Sequence, residues 1–109
     1  MHELGITQEI VAIAAERAGA AKVRRIVVEI GRFTAVLPDA VRFCFDTCAD
    51  GTPAAGAELE IVETPGRGRC RACGVEQVLD QPFGFCGCGH TDFDWLSGDE
   101  LRVTRVEVQ

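Results

Sequence analysis

Four cysteines in the C-terminal half constrain this chain more than any other feature. They form two close pairs, Cys70-Arg-Ala-Cys73 and Cys86-Gly-Cys88, with twelve residues between the pairs. A tetrahedral zinc ion takes four ligands, and each close pair can supply two thiolates from one tight turn. A disulfide framework does not require close pairs. The spacing therefore predicts a module that is organised by a bound metal.

The predicted zinc ligands are Cys70, Cys73, Cys86 and Cys88, because four thiolates form a closed structural site. The second pair is one residue shorter than the usual Cys-x-x-Cys turn, so a second candidate is kept for the fourth ligand. His90 is the rival, since its imidazole can also bind zinc. Four protein ligands leave no open position for substrate, and the chain carries no nucleophile–base pair, P-loop or dinucleotide glycine pattern. We therefore expect no enzyme activity and no catalytic residues.

The cellular setting is expected to be a reducing cytoplasm. Met1 is followed by His2 and Glu3 instead of the basic segment that begins a signal peptide. No apolar run approaches the length of a membrane span. Thiols stay free for metal binding in such a compartment.

The charge balance argues against a nucleic-acid partner. The net charge is −6, from 11 basic and 17 acidic residues, whereas a protein that binds phosphate backbones needs a positive surface. Arg67, Arg69 and Arg71 alternate along the start of the cysteine segment, but acidic residues in the same segment offset them. An alternative function is still kept open, namely a zinc-ribbon module that binds nucleic acid or associates with transcription.

The remainder of the chain reads as a small α+β body. Apolar residues recur at helical spacing in residues 4–18 and again from Leu37 to Gly51, so two helices are expected. Residues 23–30 and 58–63 alternate as half-buried strands, and residues 101–108 form a third. In this third strand the alternation changes phase between Val103 and Val106, which predicts a β-bulge or a change of partner.

Turn-rich segments flank the cysteines on both sides, where the chain leaves one body and returns to it. The predicted fold is therefore a three-stranded sheet with two helices, plus an inserted zinc-binding module. The predicted domains are residues 1–65 together with 97–109, and residues 66–96 as the insertion. Four aromatic residues are expected to cover this module and its junction with the rest of the chain: Phe83, Phe85, Phe93 and Trp95.

The N-terminus is a second candidate metal site. The Met1 amine, the His2 amide and the His2 imidazole can close adjacent chelate rings. Such nitrogen-rich, planar coordination suits Ni(II) or Cu(II) better than zinc. Glu3 can add a donor or orient the imidazole. The competing interpretation is a solvated terminal residue, as most second residues are.

Taken together, these motifs resemble the HypA/HybF family of hydrogenase nickel-incorporation proteins. The resemblance spans essentially the whole chain, and it rests on five segments: Met1-His2-Glu3, Val27-Val28-Glu29-Ile30-Gly31, Val41-Arg42-Phe43-Cys44-Phe45, Gly56-Ala57-Glu58-Leu59-Glu60-Ile61 and Cys70-Arg71-Ala72-Cys73-Gly74. The family's second pair is Cys-x-x-Cys, so Cys88 matches it only after a gap of one residue.

The resemblance implies a nickel metallochaperone. It implies that Ni(II) is bound at the N-terminus by Met1 and His2, with Glu3 contributing, and that Zn(II) is structural. The implied partners are the GTPase of hydrogenase maturation and the large-subunit precursor of [NiFe] hydrogenase, and some family members also serve urease maturation. The implied role is metal transfer without turnover. From the negative charge and the lack of a long apolar run, we expect no nucleic-acid or membrane partner.

Overall fold

The computed structural model describes residues 2–109, and Met1 lies outside the described residues. The elements are, in chain order, α1 (Glu3–Ala18), β1 (Val23–Gly31), a 3-10 turn (Arg32–Thr34), α2 (Pro38–Ala49), β2 (Glu58–Thr64), β3 (Arg67–Cys70), β4 (Glu76–Val78), β5 (Phe93–Ser97) and β6 (Leu101–Val108). Both helices and the three long strands confirm the elements expected from hydrophobic periodicity. No helix within residues 2–109 is long and apolar enough to cross a membrane.

The first sheet contains the three long strands in the order β2-β1-β6. β1 lies in the centre, parallel to β2 and antiparallel to β6. Its alternate residues Ile26, Val28 and Ile30 are fully or almost fully buried, as the alternation predicts. They share one core cluster with residues of α1 and α2, including Ile10 and Phe45. This α+β body confirms the predicted fold class.

β6 contains the predicted irregularity as a β-bulge. Val27 pairs with Arg105 and Val28 pairs with Val103, so Thr104 is an extra residue in the ladder. The extra residue shifts the alternation of side chains by one position. Val103 is therefore buried while Val106 also packs against the core. The change of phase in the sequence thus indicates a bulge and no change of partner.

The cysteine segment forms a second three-stranded sheet, in the order β4-β3-β5. All pairings in it are antiparallel. The sequence pattern predicts the insertion but not these strands. Buried apolar side chains are few here, namely Leu79, Cys70 and Cys86. This sheet therefore has little hydrophobic core of its own.

The molecule is elongated, because the two sheets lie end to end and share no strand pairing. Its principal extents are 54 × 22 × 16 Å, and its radius of gyration is 17.0 Å. A compact domain of this length has a radius of gyration of about 13 Å. The chain passes between the sheets twice, through Pro65 and Gly66 and then through residues 98–100.

The centre of β1 is where a core substitution should cost most. Val28 is fully buried and pairs with Ile61 on one side and Val103 on the other. Val28→Ala should lower the free energy of unfolding by about 2 kcal/mol, because the surrounding side chains cannot fill the space of the lost methyl groups. Val108→Ala is the matched control, since Val108 lies in the same sheet but is 45% exposed. Urea denaturation of both zinc-loaded variants measures the difference, and equal losses would contradict this placement of the core.

Candidate metal centres

The four paired cysteines come together at one end of the second sheet. Their Sγ atoms all lie within 4.8 Å of one another. The sulfurs of Cys70 and Cys88 are 3.6 Å apart, and those of Cys73 and Cys86 are 3.5 Å apart. Each of these contacts joins one cysteine of the first pair to one of the second. The fold thus brings four thiols from two separate turns to a single point.

Two hydrogen-bonded turns present these thiols. In the first turn the Gly74 N–H donates to the Cys70 carbonyl at 2.9 Å. In the second turn the Gly89 N–H donates to the Cys86 carbonyl, also at 2.9 Å. This hydrogen bond spans three residues, whereas the bond in the first turn spans four. Both glycines adopt positive φ, 79° and 95°, which other residues rarely adopt. The Cys-x-Cys spacing therefore still forms a closed turn, only a tighter one.

Backbone amides around the first turn favour the thiolate form of Cys70. Its pKa is lowered to about 6, chiefly by the Cys73 N–H, with further help from the Ala72 N–H. The pKa of Cys73 is raised: the Val75 N–H lowers it, but this effect is outweighed by the neighbouring Cys86 thiol, by burial and by the Cys70 thiol. Thiols that crowd together in this way favour a shared cation, because a cation removes the repulsion between thiolates.

The donor set and the spacing of the sulfurs fit zinc. With zinc–sulfur bonds of about 2.3 Å, neighbouring sulfurs of a tetrahedral site lie about 3.8 Å apart. The separations of 3.6 Å between Cys70 and Cys88 and 3.5 Å between Cys73 and Cys86 are close to that edge length. Four soft thiolates select zinc, Cu(I) or iron–sulfur chemistry over hard cations.

His90, the rival fourth ligand, lies beside the cysteine cluster. Its Nδ1 atom is 3.5 Å from the Cys88 sulfur. Among the described residues, the four cysteines form the cluster whose ligand atoms all lie close together, and His90 is not part of it. The His90 carbonyl also accepts the Cys86 N–H at 2.9 Å, so this residue closes the second turn through its backbone.

The second candidate site lies at the start of α1. His2 precedes the helix and is exposed, and its carbonyl accepts the Ile6 N–H at 3.1 Å. The Met1 amine, which the chelate interpretation also requires, lies outside the described residues. The exposed imidazole of His2 is therefore the part of this site that the structure describes.

Glu3 is tied to α2. Its carboxylate accepts the Leu37 N–H at 3.1 Å, and Leu37 caps the N-terminus of α2. This hydrogen bond is the main reason why the pKa of Glu3 is lowered. The Glu3 carbonyl accepts the hydroxyl of the fully buried Thr7 at 2.6 Å. The residue next to His2 is thus held on both its side chain and its backbone. The sequence does not identify Leu37 or Thr7 as part of this candidate site, because neither is a metal-ligating residue type.

The arginines that kept the nucleic-acid alternative open are paired with carboxylates. Arg69 contacts Glu76 at 2.9 Å, and Arg67 contacts the same carboxylate at 3.8 Å. Arg71 contacts Asp94 at 2.8 Å. These pairs leave little unpaired positive charge on the second sheet for a phosphate backbone.

The expectation that four aromatic residues cover the cysteine module and its junction is wrong for two of them. Phe83 and Phe85 are largely exposed, because they lie in the loop after Leu79 and not in a strand. Phe93 is half-buried, and Trp95 packs against Phe33 of the first body. The aromatic contact at this end therefore serves the junction between the two sheets.

Comparison with known proteins gives one consistent result. Residues 1–108 match the family described as hydrogenase/urease nickel incorporation, metallochaperone, hypA. The hydrogenase maturation factor HypA of Nostoc punctiforme is 55% identical over 109 residues, covering 100% of this chain and 96% of that protein. The same factor of Trichormus variabilis is 54% identical with the same coverage. The solution structure of the Ni metallochaperone HypA from Helicobacter pylori has a TM-score of 0.68 at 24% identity, covering 99% of this chain and 97% of that one. This last likeness shows a shared fold.

Proposed function

Because this chain belongs to the HypA family of hydrogenase/urease nickel-incorporation metallochaperones, we propose that it binds Ni(II) at its N-terminus and delivers it for the maturation of [NiFe] hydrogenase. The observation that supports the N-terminal site is the exposed His2 imidazole next to Glu3, whose carboxylate is hydrogen-bonded to the Leu37 N–H. Metal analysis and nickel X-ray absorption on the wild type and on His2→Ala test it.

The proposed nickel ligands are the Met1 amine, the His2 amide and the His2 imidazole. Adjacent chelate rings favour a planar arrangement of nitrogens, which suits Ni(II). The Glu3 carboxylate accepts the Leu37 N–H, so we propose that this side chain orients the terminus against α2. An exposed site at a chain end leaves room for an incoming ligand, so nickel can pass to a better site by ligand exchange. The proposed action is transfer without turnover.

The proposed structural metal is zinc, held by Cys70, Cys73, Cys86 and Cys88. Bound there, zinc would supply four bonds that join the two cysteine turns. The chain's own residues prepare the site, because backbone amides favour a thiolate at Cys70 and two hydrogen-bonded turns fix the spacing. We also propose the division into residues 1–65 with 97–109 as the nickel-binding domain and 66–96 as the zinc-binding domain. The separate sheets and the elongated shape support it.

The proposed setting is the cytoplasm, where the proposed partners are a maturation GTPase and the hydrogenase large-subunit precursor. Family membership supports partners in hydrogenase or urease maturation. The six free thiols are compatible with a reducing compartment.

The fourth zinc ligand is tested by a pair of neighbouring substitutions. Cys88→Ser should lower zinc affinity by on the order of a hundredfold or more, because even the loss of a group that only orients a ligand costs about 10- to 100-fold. His90→Ala should leave zinc near one per chain, since His90 lies outside the thiol cluster. Competition with a chromophoric chelator measures both affinities. A loss of zinc affinity in His90→Ala, with the affinity of Cys88→Ser unchanged, would assign the fourth ligand to His90.

A further inference from the structure

The two passages of the chain between the sheets lie side by side. The Ser97 hydroxyl donates to the Pro65 carbonyl at 2.9 Å, which ties the end of β5 to the start of the first passage. Two backbone hydrogen bonds join the second passage to the end of β1 and the turn after it. The Gly31 N–H donates to the Glu100 carbonyl at 2.6 Å, and the Phe33 N–H donates to the Gly98 carbonyl at 2.7 Å. The junction between the two sheets therefore consists of two short peptide segments, residues 65–66 and 98–100.

The Phe33 ring lies against both passages and against the second sheet. Its centroid is 5.0 Å from that of Trp95 in β5, with an angle of 43° between the ring planes. A Cβ atom added at Gly66 would lie 2.5 Å from Phe33 Cζ, and one added at Gly98 would lie 2.8 Å from Phe33 Cδ2. Both glycines thus allow the ring to approach the backbone more closely than any other residue type would.

Phe33 belongs to the first body, because it lies in the turn that follows β1. It is half-buried and does not belong to the core cluster of that body. Its packing partners Trp95, Gly66 and Gly98 instead lie in the second sheet or in the two passages. The ring therefore contributes to the junction and little to the interior of either sheet.

We propose that the Phe33 ring fixes the orientation of the second sheet relative to the first. The two sheets share no strand pairing, so the passages and the side chains packed on them set the angle between the bodies. Both passages contain a glycine, and backbone with glycine is easily rotated. An aromatic ring that lies between two glycines and packs at a tilt against Trp95 prevents that rotation, because turning the second sheet would separate the two rings. The cysteine centre is thereby held at a defined angle to the first body.

Phe33→Ala in the zinc-loaded full chain tests this proposal. Both sheets should remain folded, because the ring is not part of either interior. Residual dipolar couplings should fit one alignment tensor for both sheets in the wild type and two different tensors in the variant. Trp95 is the only tryptophan, so its fluorescence reports the same change. Emission should shift to the red, and quenching by acrylamide should increase.

Phe43→Ala is the matched control, because Phe43 is 87% exposed on α2 and the chemical change is the same. It should keep the single tensor and the wild-type emission. If Phe33→Ala unfolds either sheet, Phe33→Leu carries the same test, since it keeps an apolar side chain but loses the ring that reaches Trp95. A folded Phe33 variant with wild-type alignment and wild-type Trp95 emission would overturn the proposal.

Discussion

Replacing His2 with alanine is expected to abolish stoichiometric Ni(II) binding while zinc stays near one per chain. The imidazole closes one chelate ring with its own amide, so its loss removes a donor and a ring together. Loss of a group that only orients a metal ligand costs about 10- to 100-fold in affinity, so loss of the ligand itself should cost at least about a hundredfold. Isothermal titration with Ni(II), together with metal analysis of the same sample, measures both sites.

The chain offers its own control for this experiment, because it contains two histidines and the other is His90. His90→Ala removes an imidazole beside the cysteine cluster and should leave nickel affinity unchanged. Nickel X-ray absorption should show imidazole coordination in the wild type and in His90→Ala but not in His2→Ala. If nickel affinity survived the loss of His2, the N-terminal site would be wrong.

Removing zinc is expected to unfold the second sheet and leave the first one folded. Complete burial of a leucine stabilises by about 1.5–3 kcal/mol, and within residues 66–96 Leu79, which follows β4, is the one large aliphatic residue that is buried. Structural zinc contributes about 10–16 kcal/mol in comparable small modules. The bound metal is therefore expected to stabilise this sheet more than the burial of its apolar side chains does. The first sheet keeps its own core, which includes Ile26, Val28 and Phe45.

Amide NMR spectra before and after treatment with a strong chelator measure this effect residue by residue. Signals from residues 66–96 should lose their dispersion, while those of β1, β2 and β6 should keep theirs. One equivalent of zinc should restore the spectrum, whereas magnesium, which prefers oxygen ligands, should not. If both sheets lost their signals together, the division into two domains would be contradicted. If neither changed, the metal would not be structural.

The first body was predictable from sequence because its elements are buried on one side. Burial on one side imposes a period on the side chains, and β1 shows it through Ile26, Val28 and Ile30. Even the bulge in β6 was visible as a change of phase between Val103 and Val106. The predicted helix 4–18 differs from the observed α1 by one residue at its start.

The second sheet was not predictable in the same way. β3 reads Arg-Gly-Arg-Cys, and its buried positions are occupied by Gly68 and Cys70. Glycine and cysteine do not produce the apolar alternation by which strands are recognised. The order of this sheet rests on hydrogen bonds and on the proposed metal, so its strands leave no periodic pattern in the sequence.

The sequence by itself determined the family, the two candidate metal sites and the elements of the first body, because each depends on residue types at short, regular spacing. Only the tertiary structure decided that the four thiols of Cys70, Cys73, Cys86 and Cys88 meet, with His90 outside their cluster. It also decided that Glu3 accepts the Leu37 N–H and that Phe33 packs on Trp95. These contacts join residues far apart in the chain, and the pairing of strands and packing of helices bring them together. The local spacing of residue types does not predict contacts between distant parts of the chain, so the geometry around each candidate site is visible only in the folded chain.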